Sequence, residues 1–378
     1  MNFEEHAAKP VLAAHGLAVP TSRLAETADA AAEAALAIGP CVVKAQVPTG
    51  KRGKAGGIKL AATPEEARSH AEAILALEIG GFPVERLLIE AQVPISRELY
   101  AAVLTDPASR APLVLFSTMG GMDVEEAAEA DPDAMRRIAV DITSGLAKTD
   151  VTTALRGLDL DGHHEAVADA LTALYRAYRL SDAELLEVNP LVLTTAGDVL
   201  ALDCKFTMDD SSAPRRADLT PAAAAEPLTD LEAEAQENGL KYIELGGNVG
   251  VFANGAGLTM TTMDAISHFG GHPANFLEIG GEAYTKARIA LSILLKNPNV
   301  KSLLVNFCGA FARTDVMAGG VVEAWKELQP DIPVFFTIHG TGEDDAIALV
   351  ERELGITPFN LMDDAVRAAI DAAREATA

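Results

Sequence analysis

Three oxygen-bearing side chains flank a short turn at spacings that suit the binding of a hard cation. Glu187 and Asn189 interrupt the apolar run LLEVNPLVL (185–193), and Asp203 follows the turn TTAGD in the run DVLALDCKF. Asn189 lies seven residues before Ala196, at the centre of the turn, and Asp203 lies seven residues after it. A regular hairpin therefore places Asn189 and Asp203 opposite each other.

Glu187 belongs to the same face, because side chains two residues apart in a strand point the same way. Carboxylate and amide oxygens are ligands that Mg²⁺ takes together with substrate phosphates. A metal and its phosphates would also satisfy polar groups that are costly to bury alone. The alternative is an ordinary half-buried hairpin in which Glu187 faces solvent, and hairpin symmetry does not decide between the two.

A second group is a basic, glycine-rich loop in the segment KAQVPTGKRGKAGGIK (44–59). It carries the cations Lys44, Lys51, Arg52, Lys54 and Lys59, and no Asp or Glu occurs between Glu33 and Glu65. Such a loop can bring backbone N–H groups and cations around a polyphosphate. It lacks the GxxxxGK[ST] pattern of a P-loop. The alternative is a mobile basic surface loop.

These residues need a framework of strands and helices to position them. The first 240 residues predict strands at 41–47, 56–61 and within 86–106, a return strand at APLVLFS, and a Thr-capped helix at 63–77. The stretch 123–182 is predicted to be mostly helical. Residues 209–235, rich in Pro, Ala, Asp and Glu, are typical of a linker between domains.

Beyond residue 240, strands and helices alternate, which predicts a doubly wound parallel sheet. Helices are expected near 257–269, 282–296, 314–328 and 343–354. Several strands end in glycine-containing loops, at Gly246–Gly247, Gly280–Gly281, Gly309 and Gly340. Ligands of such folds bind at the carboxyl ends of the strands, although the glycines could also serve only to make tight turns.

Composition excludes several classes of partner. The 378 residues include 30 basic and 55 acidic ones, for a net charge of −25, which argues against nucleic acid and anionic membranes as partners. The three cysteines are far apart in apolar runs and form no CxxC pair, so we expect buried thiols rather than disulfides or zinc. With neither a signal peptide nor a long apolar span, the expected location is the cytoplasm.

Taken together, four motifs resemble the β subunit of succinate–CoA ligase: VVKAQV…RGKAGGIKL, IEA…RELY, LLEVNPLVL…GDVLALDCK and NGAGLTMTTMD…GGHPANFLEIGG. The resemblance runs nearly end to end. It implies an α/β chain with an N-terminal ATP-grasp domain, 1–235, and a C-terminal flavodoxin-like CoA-ligase domain, 236–378. It also implies an α subunit that carries the CoA site and a phosphorylated histidine.

The implied activity is an ATP- and Mg²⁺-dependent ligation of a small carboxylic acid to CoA, by way of the partner's phosphohistidine and an acyl phosphate. By motif, Glu187 would be catalytic and orient the partner's histidine, while Asn189 and Asp203 would bind Mg²⁺. The nucleotide would be held by Lys44, Arg52, Gly53, Glu90 and Glu98. The acid would be held by Asn254 and the loop Ala310, Phe311 and Ala312.

Departures from the family pattern fall mainly at the predicted acid site. CGAFART stands where the family has FGGI followed by a small residue and Arg, HGTGED replaces an EGTN-like loop, and GGEAYTKA replaces GGGA. Lys51 replaces a glycine of the phosphate loop. A site built to hydrogen-bond one acid rejects its analogues, so these departures bear on which acid is bound. Succinate is the expected acid, and malate or another substituted short acid is the alternative.

Two other classes of function remain as alternatives. A nucleotide-binding regulatory subunit could keep the fold without the chemistry, but the joint presence of Lys44, Glu187, Asn189 and Asp203 argues against it. An ATP-grasp carboxylate–amine ligase is the other, and the alternating C-terminal domain with NGAG argues against it.

Overall fold

The computed structural model describes residues 1–121, 135–225, 228–279 and 283–377, and the chain divides into two compact units. The first unit is Met1–Ala225 and the second is Glu226–Ala378. This division falls somewhat before the boundary expected after residue 235. The reason is that the helix Asp230–Glu237 packs against the strand Lys241–Glu244 of the second unit.

The first unit is built mainly from antiparallel strands. Its described helices are α1 (Glu5–Ala14), α2 (Ala28–Ile38), α3 (Pro64–Leu75), α4 (Lys148–Ala154) and α5 (His164–Leu180). Its described strands are β1 (Asn2–Phe3), β2 (Ser22–Ala25), β3 (Cys41–Gln46), β4 (Ile58–Ala61), β5 (Glu78–Ile79), β6 (Phe82–Pro83), β7 (Arg86–Ala91), β8 (Ile95–Asp106), β9 (Ala111–Ser117), β10 (Met135–Ala139), β11 (Ala183–Thr194), β12 (Val199–Ala201) and β13 (Lys205–Met208).

The larger sheet has the order β1-β13-β11-β8-β9-β10, with β12 paired to β11. The amphipathic helix α5 buries its apolar face against this sheet, and α1 adds Leu12 to the same core. Phe206 of β13 is fully buried and stacks on Phe3 of β1 with ring centroids 4.5 Å apart. This stacking and the β1–β13 pairing fix the chain immediately before α1.

The smaller sheet has the order β2-β7-β3-β4, and its two faces differ in chemistry. One face packs against α2 and α3, where small alanines such as Ala31 and Ala71 let the helices approach Val43 and Ile89 closely. As predicted, the side chain of Thr63 caps α3. Because side chains alternate along a strand, Lys44 of β3 and Glu90 of β7 belong to the opposite face.

The predicted hairpin around Ala196 is confirmed. Leu191 pairs with Ala201 on the turn side, and Leu186 pairs with Phe206 on the far side in the same register. Asn189 and Asp203 therefore occupy matched positions where the ladder is interrupted between these two paired stretches. The peptide bond between Asn189 and Pro190 is cis.

The prediction of a mostly helical stretch over 123–182 was wrong in part. Residues 122–134 lie outside the described residues, and the next segment is β10, which pairs antiparallel with β9. Its sequence MRRIA has a single buried apolar side chain, Ile138, at 7% exposure. This strand forms by backbone pairing with β9 at the edge of the sheet, and its hydrophobic pattern alone does not predict it.

The second unit is the predicted doubly wound sheet. Its described strands are β14 (Lys241–Glu244), β15 (Val249–Asn254), β16 (Asn275–Ile279), β17 (Ser302–Gly309) and β18 (Val334–Gly340), in the order β14-β16-β15-β17-β18. Strand β14 is antiparallel and the others are parallel. The four parallel strands follow the flavodoxin-like order 2-1-3-4.

Helices cover both faces of this sheet. They are α6 (Asp230–Glu237), α7 (Ala256–His268), α8 (Ala283–Lys296), α9 (Thr314–Leu328), α10 (Glu343–Leu354) and α11 (Met362–Glu375). One core joins α6, α8, α9 and α10 to the sheet, and a second core joins α7 and α11 to its other face. Among the described residues of the whole chain, every helix is too short or too polar to span a bilayer.

We predict that Phe206→Ala lowers the free energy of unfolding of the first unit by about 3–5 kcal/mol, because it removes a buried ring and leaves a cavity beside Phe3. Urea unfolding of the full chain, followed by circular dichroism, measures the change. Leu36→Ala is the control, since Leu36 is 77% exposed and should change stability by less than about 0.5 kcal/mol. Equal effects of the two substitutions would contradict this account of the core.

Candidate functional site

Six ionised side chains of the first unit meet between α1, the smaller sheet and the segment after β12. They are Glu5, Lys9, Lys44, Arg52, Glu90 and Asp203, which we call the ion cluster. Five of the six side chains are at most 8% exposed, whereas that of Asp203 is 33% exposed. Three cations face three carboxylates, so the cluster is balanced in charge.

Each cation of the ion cluster contacts more than one acceptor. The Lys44 Nζ atom lies 2.6 Å from Glu90 and 3.0 Å from Glu5. The Arg52 Nη2 atom lies 2.7 Å from Glu5 and 2.6 Å from Asp203, and Nη1 donates to the Ala45 carbonyl at 2.9 Å. Lys9 pairs with Glu5 at 2.7 Å and also with Glu90.

The pKa values of Glu5, Lys44 and Arg52 are shifted towards their charged forms. Burial alone would raise the pKa of Glu5, but the charges of Lys44, Arg52 and Lys9 outweigh burial and hold this pKa far below its ordinary value of 4.5. Burial opposes the positive charges of Lys44 and Arg52 as well. Their carboxylate neighbours reverse that effect and raise the pKa of both cations.

A small cleft of about 60 Å³ opens beside the cluster. Its lining includes the loop after β3 together with Arg52 and Asp203. In this loop Lys51 has a φ of 62°, a left-handed conformation that favours glycine. Of the five cations in the predicted basic segment, two are buried and three are exposed. The buried ones are Lys44 and Arg52, and the exposed ones are Lys51, Lys54 and Lys59.

The two candidate metal ligands, Asn189 and Asp203, each accept a hydrogen bond from a different backbone N–H group. The Asn189 Oδ1 atom accepts a hydrogen bond from Gly121 N at 2.8 Å, and Asp203 accepts one from Cys204 N at 2.7 Å besides its pair with Arg52. Among the described residues, no three His, Cys, Asp or Glu side chains are grouped to hold a metal. One carboxylate and one amide oxygen still fit Mg²⁺, which completes its shell with waters and phosphates.

The other carboxylates predicted for this site differ in environment. Glu187 is half-buried on β11, and its charge adds to burial in raising the pKa of Tyr100. Glu98 is exposed on β8, next to β11. Both oxygens of Glu90 are engaged by Lys44 and Lys9, so its first contacts are with the cations. At Gly53, an added Cβ atom would meet only the Ile58 side chain, at 3.9 Å, apart from its neighbours in the chain.

Sequence reasoning missed Glu5 and Lys9. The signal was present, since the two side chains are four residues apart in α1 and an acid–base pair at that spacing shares one helix face. Their other partners are 39 to 193 residues away in sequence, which local pattern does not reveal.

In the second unit, the residues predicted for the acid lie at the carboxyl ends of β15, β17 and β18. Asn254 is committed to the backbone, because its amide both donates to Cys308 O and accepts from Cys308 N, each at 2.9 Å. Cys308 is exposed, so the expectation of three buried thiols was wrong at this position, whereas Cys41 and Cys204 are buried.

The loop after β17 presents its side chains outward. Ala310 is exposed, Ala312 is half-buried, and Phe311 is fully exposed. At the end of β18, His339 lies 3.4 Å from Glu343, which also accepts a hydrogen bond from Gly340 N. A Cβ atom at Gly340 would overlap the Gly309 carbonyl, so the two loops approach each other backbone to backbone.

Comparison with known proteins agrees with this architecture. The ATP-grasp domain model matches residues 2–193, and the CoA-ligase model matches residues 252–370. The structure of ATP citrate lyase from Methanothrix soehngenii shares the fold, with a TM-score of 0.75 and 24% identity over 98% of this chain and 99% of that one. The chain is therefore an ATP-grasp domain followed by a CoA-ligase domain.

Curated relatives narrow the class further. The GDP-forming succinate–CoA ligase subunit beta of Thermus thermophilus is 41% identical over 93% of each chain. The ADP-forming subunit beta of Rubrobacter xylanophilus is 42% identical over 99% of each chain. The chain belongs to the succinate–CoA ligase beta-subunit family, as the resemblance predicted, and the family is one of acid–thiol ligases.

We predict that Asn254→Ala destabilises the second unit by about 1 kcal/mol, because Cys308 loses both partners of its backbone N–H and C=O. Asn254→Asp should cost a similar amount, since a carboxylate oxygen would then face the Cys308 carbonyl. Thermal unfolding measures both. The control is Asn238→Ala, which loses one exposed bond to Glu234 O and should have a smaller effect.

The ion cluster also predicts a dependence of stability on pH. Because the pKa of Glu5 is lowered on folding, its ionised form stabilises the native state above about pH 4.5, and this contribution is lost as the pH falls below that value. The stability difference between wild type and Glu5→Gln should be largest near pH 7. It should shrink below pH 4.5 by up to about 1.4 kcal/mol per pH unit in urea titrations. A difference that stays constant from pH 7 to pH 3 would contradict the cluster.

Proposed function

We propose that this chain, with a second subunit, ligates succinate to CoA at the expense of ATP. The observation that carries the proposal is the ion cluster, in which buried Arg52 pairs with Asp203 at the cleft and Lys44 lies behind them on Glu5 and Glu90. Phosphoryl transfer requires chiefly positioning and neutralisation of charge, and this arrangement supplies both. The names of the curated relatives, which include ADP- and GDP-forming enzymes, support the reaction and leave the choice of nucleotide open.

In this proposal Lys44, Arg52 and the backbone at Gly53 hold the nucleotide phosphates. Glu90 fixes the ammonium group of Lys44 from behind, and exposed Glu98 is available to the rest of the nucleotide. Asn189 and Asp203 hold Mg²⁺, which when bound neutralises charge on the phosphates.

Glu187 is proposed to orient a histidine of the partner subunit while that histidine accepts and passes on the phosphoryl group. A half-buried carboxylate beside the metal ligands suits this role, because it can accept the imidazole N–H and fix the tautomer. The relatives are named as beta subunits, which supports the existence of a second subunit. In this proposal the second subunit supplies the histidine and the CoA site. We also propose that the chain is located in the cytoplasm.

The acid is proposed to bind at the carboxyl ends of β15, β17 and β18. Asn254 would act there mainly by fixing Cys308, while Ala310, Phe311 and Ala312 would form the rim. Malate is the second candidate, because His339 and Glu343 place a hydrogen-bonding pair at this edge, and such a pair suits an acid with a hydroxyl group.

The test is CoA-dependent ADP release by the co-expressed pair of subunits, with succinate, malate, acetate and glutarate. We expect succinate to give the largest kcat/KM. Preference for malate would support the second candidate. The proposal would be contradicted if none of the acids supported ADP release. It would also be contradicted if labelled ATP did not phosphorylate the partner.

Glu187→Gln should lower kcat at least about 100-fold while leaving ADP affinity nearly unchanged, because it removes a group used in transfer and not in nucleotide binding. Glu184→Gln is the matched control. Glu184 lies on the same strand, three residues away, at the register shift between Ala183 and Leu185, and is exposed to solvent. Equal loss of activity in both variants would mean that Glu187 has no specific role.

A further inference from the structure

Glu5 occupies the centre of the ion cluster although no family motif in the sequence assigns it a role. Its carboxylate is 1% exposed and contacts all three cations, at 2.7 Å from Lys9, 3.0 Å from Lys44 and 2.7 Å from Arg52. A buried carboxylate is stable only with such partners. Any change at Glu5 must therefore redistribute the cations around the remaining carboxylates.

The most informative of these contacts is the one to Arg52. A single nitrogen, Nη2, lies between Glu5 and Asp203, at 2.7 Å and 2.6 Å. Nη2 carries two N–H groups and donates a hydrogen bond to Asp203, whereas its contact with Glu5 is an ion pair. The single positive charge of the guanidinium is therefore divided between two carboxylates, and each weakens its attraction to the other. Both carboxylates line the cleft, but Asp203 is 33% exposed and Glu5 only 1%. The contact to Glu5 therefore weakens the pairing of Arg52 with the more accessible carboxylate.

The helix α1 also fixes the backbone that carries Asp203. Lys9 and Lys44 both donate to the Leu202 carbonyl, at 2.9 Å and 2.5 Å, and Leu202 directly precedes Asp203. Lys9 is in turn paired with Glu5. The pair Glu5–Lys9 thus controls both the position of Asp203 and the charge that faces it.

We propose that Glu5 is a positioning residue that keeps Asp203 accessible to Mg²⁺ by taking part of the charge of Arg52, which otherwise faces Asp203 alone, and by pairing with Lys44. The proposal rests on the function proposed above. When Glu5 loses its charge, Arg52 pairs with Asp203 alone, and Mg²⁺ must displace a stronger ion pair to reach that carboxylate.

A purely structural role for Glu5 makes a different prediction. It would lower the stability of the fold and leave the Mg²⁺ requirement of the folded fraction unchanged. The dependence of nucleotide binding on Mg²⁺ therefore separates the two roles, and it needs no catalytic turnover.

The experiment is calorimetric titration of ADP into the full chain at a series of Mg²⁺ concentrations. For Glu5→Gln, we expect the Mg²⁺ concentration that gives half of the maximal ADP affinity to rise about tenfold, which corresponds to about 1.4 kcal/mol. Glu5→Asp keeps the charge with a shorter side chain and should show a smaller rise. A shift within about twofold of wild type in a folded Glu5→Gln variant overturns the proposal.

Glu4→Gln is the matched control. Glu4 is also buried, at 7% exposure, and directly precedes Glu5, but it pairs with Arg86 at 3.1 Å and takes no part in the ion cluster. We expect its Mg²⁺ requirement to match that of wild type, and a shift as large as that of Glu5→Gln overturns the proposal. If Glu5→Gln does not fold, Glu5→Asp is the test variant. An unchanged Mg²⁺ requirement in Glu5→Asp then overturns the proposal.

The two proposals fail in different ways. A wild-type chain that binds no ADP at any Mg²⁺ concentration contradicts the proposed function. A wild-type chain that binds ADP with Mg²⁺, together with a folded Glu5→Gln variant of unchanged Mg²⁺ requirement, contradicts only the role of Glu5.

Discussion

The first unit depends on the requirement that buried charges be balanced. Removing five ionised side chains almost completely from water costs several kcal/mol for each ion unless opposite charges and carbonyl oxygens replace the lost hydration. The ion cluster meets this requirement only when α1, β3, β7 and the Leu202–Asp203 segment are all in place. The same contacts that satisfy the charges therefore set the relative positions of the elements at the cleft.

In the second unit, the buried polar side chains of the described residues are neutral. At the end of β15, the Asn254 amide makes two hydrogen bonds to the backbone of Cys308, and within the sheet the buried amide of Asn275 makes two to Val251 in the same manner. A neutral amide carries both a donor and an acceptor, so it can replace a missing strand partner at little electrostatic cost. One unit thus positions charge at a cleft, and the other positions loops at a sheet edge.

The local sequence pattern was enough to predict those elements whose apolar and polar residues repeat with a short period. The spacing around Ala196 predicted the hairpin because strand side chains alternate, and the helices of the second unit followed from their apolar periodicity. The strand β10 was not predicted, because it is stabilised by backbone pairing with β9 and its own apolar pattern is short. Asn254 was assigned to the acid, yet its direct contacts are with Cys308, a pairing across strand ends that no local pattern contains.

The ion cluster joins residues near the start of the chain to residues near the end of the first unit. Lys9 and the Leu202 carbonyl are 193 residues apart in sequence, and Arg52 and Asp203 are 151 apart. During synthesis from the amino end, Glu5, Lys9, Lys44, Arg52 and Glu90 emerge long before Asp203 does. The cleft can consequently reach its final electrostatic state only after Asp203 has left the ribosome.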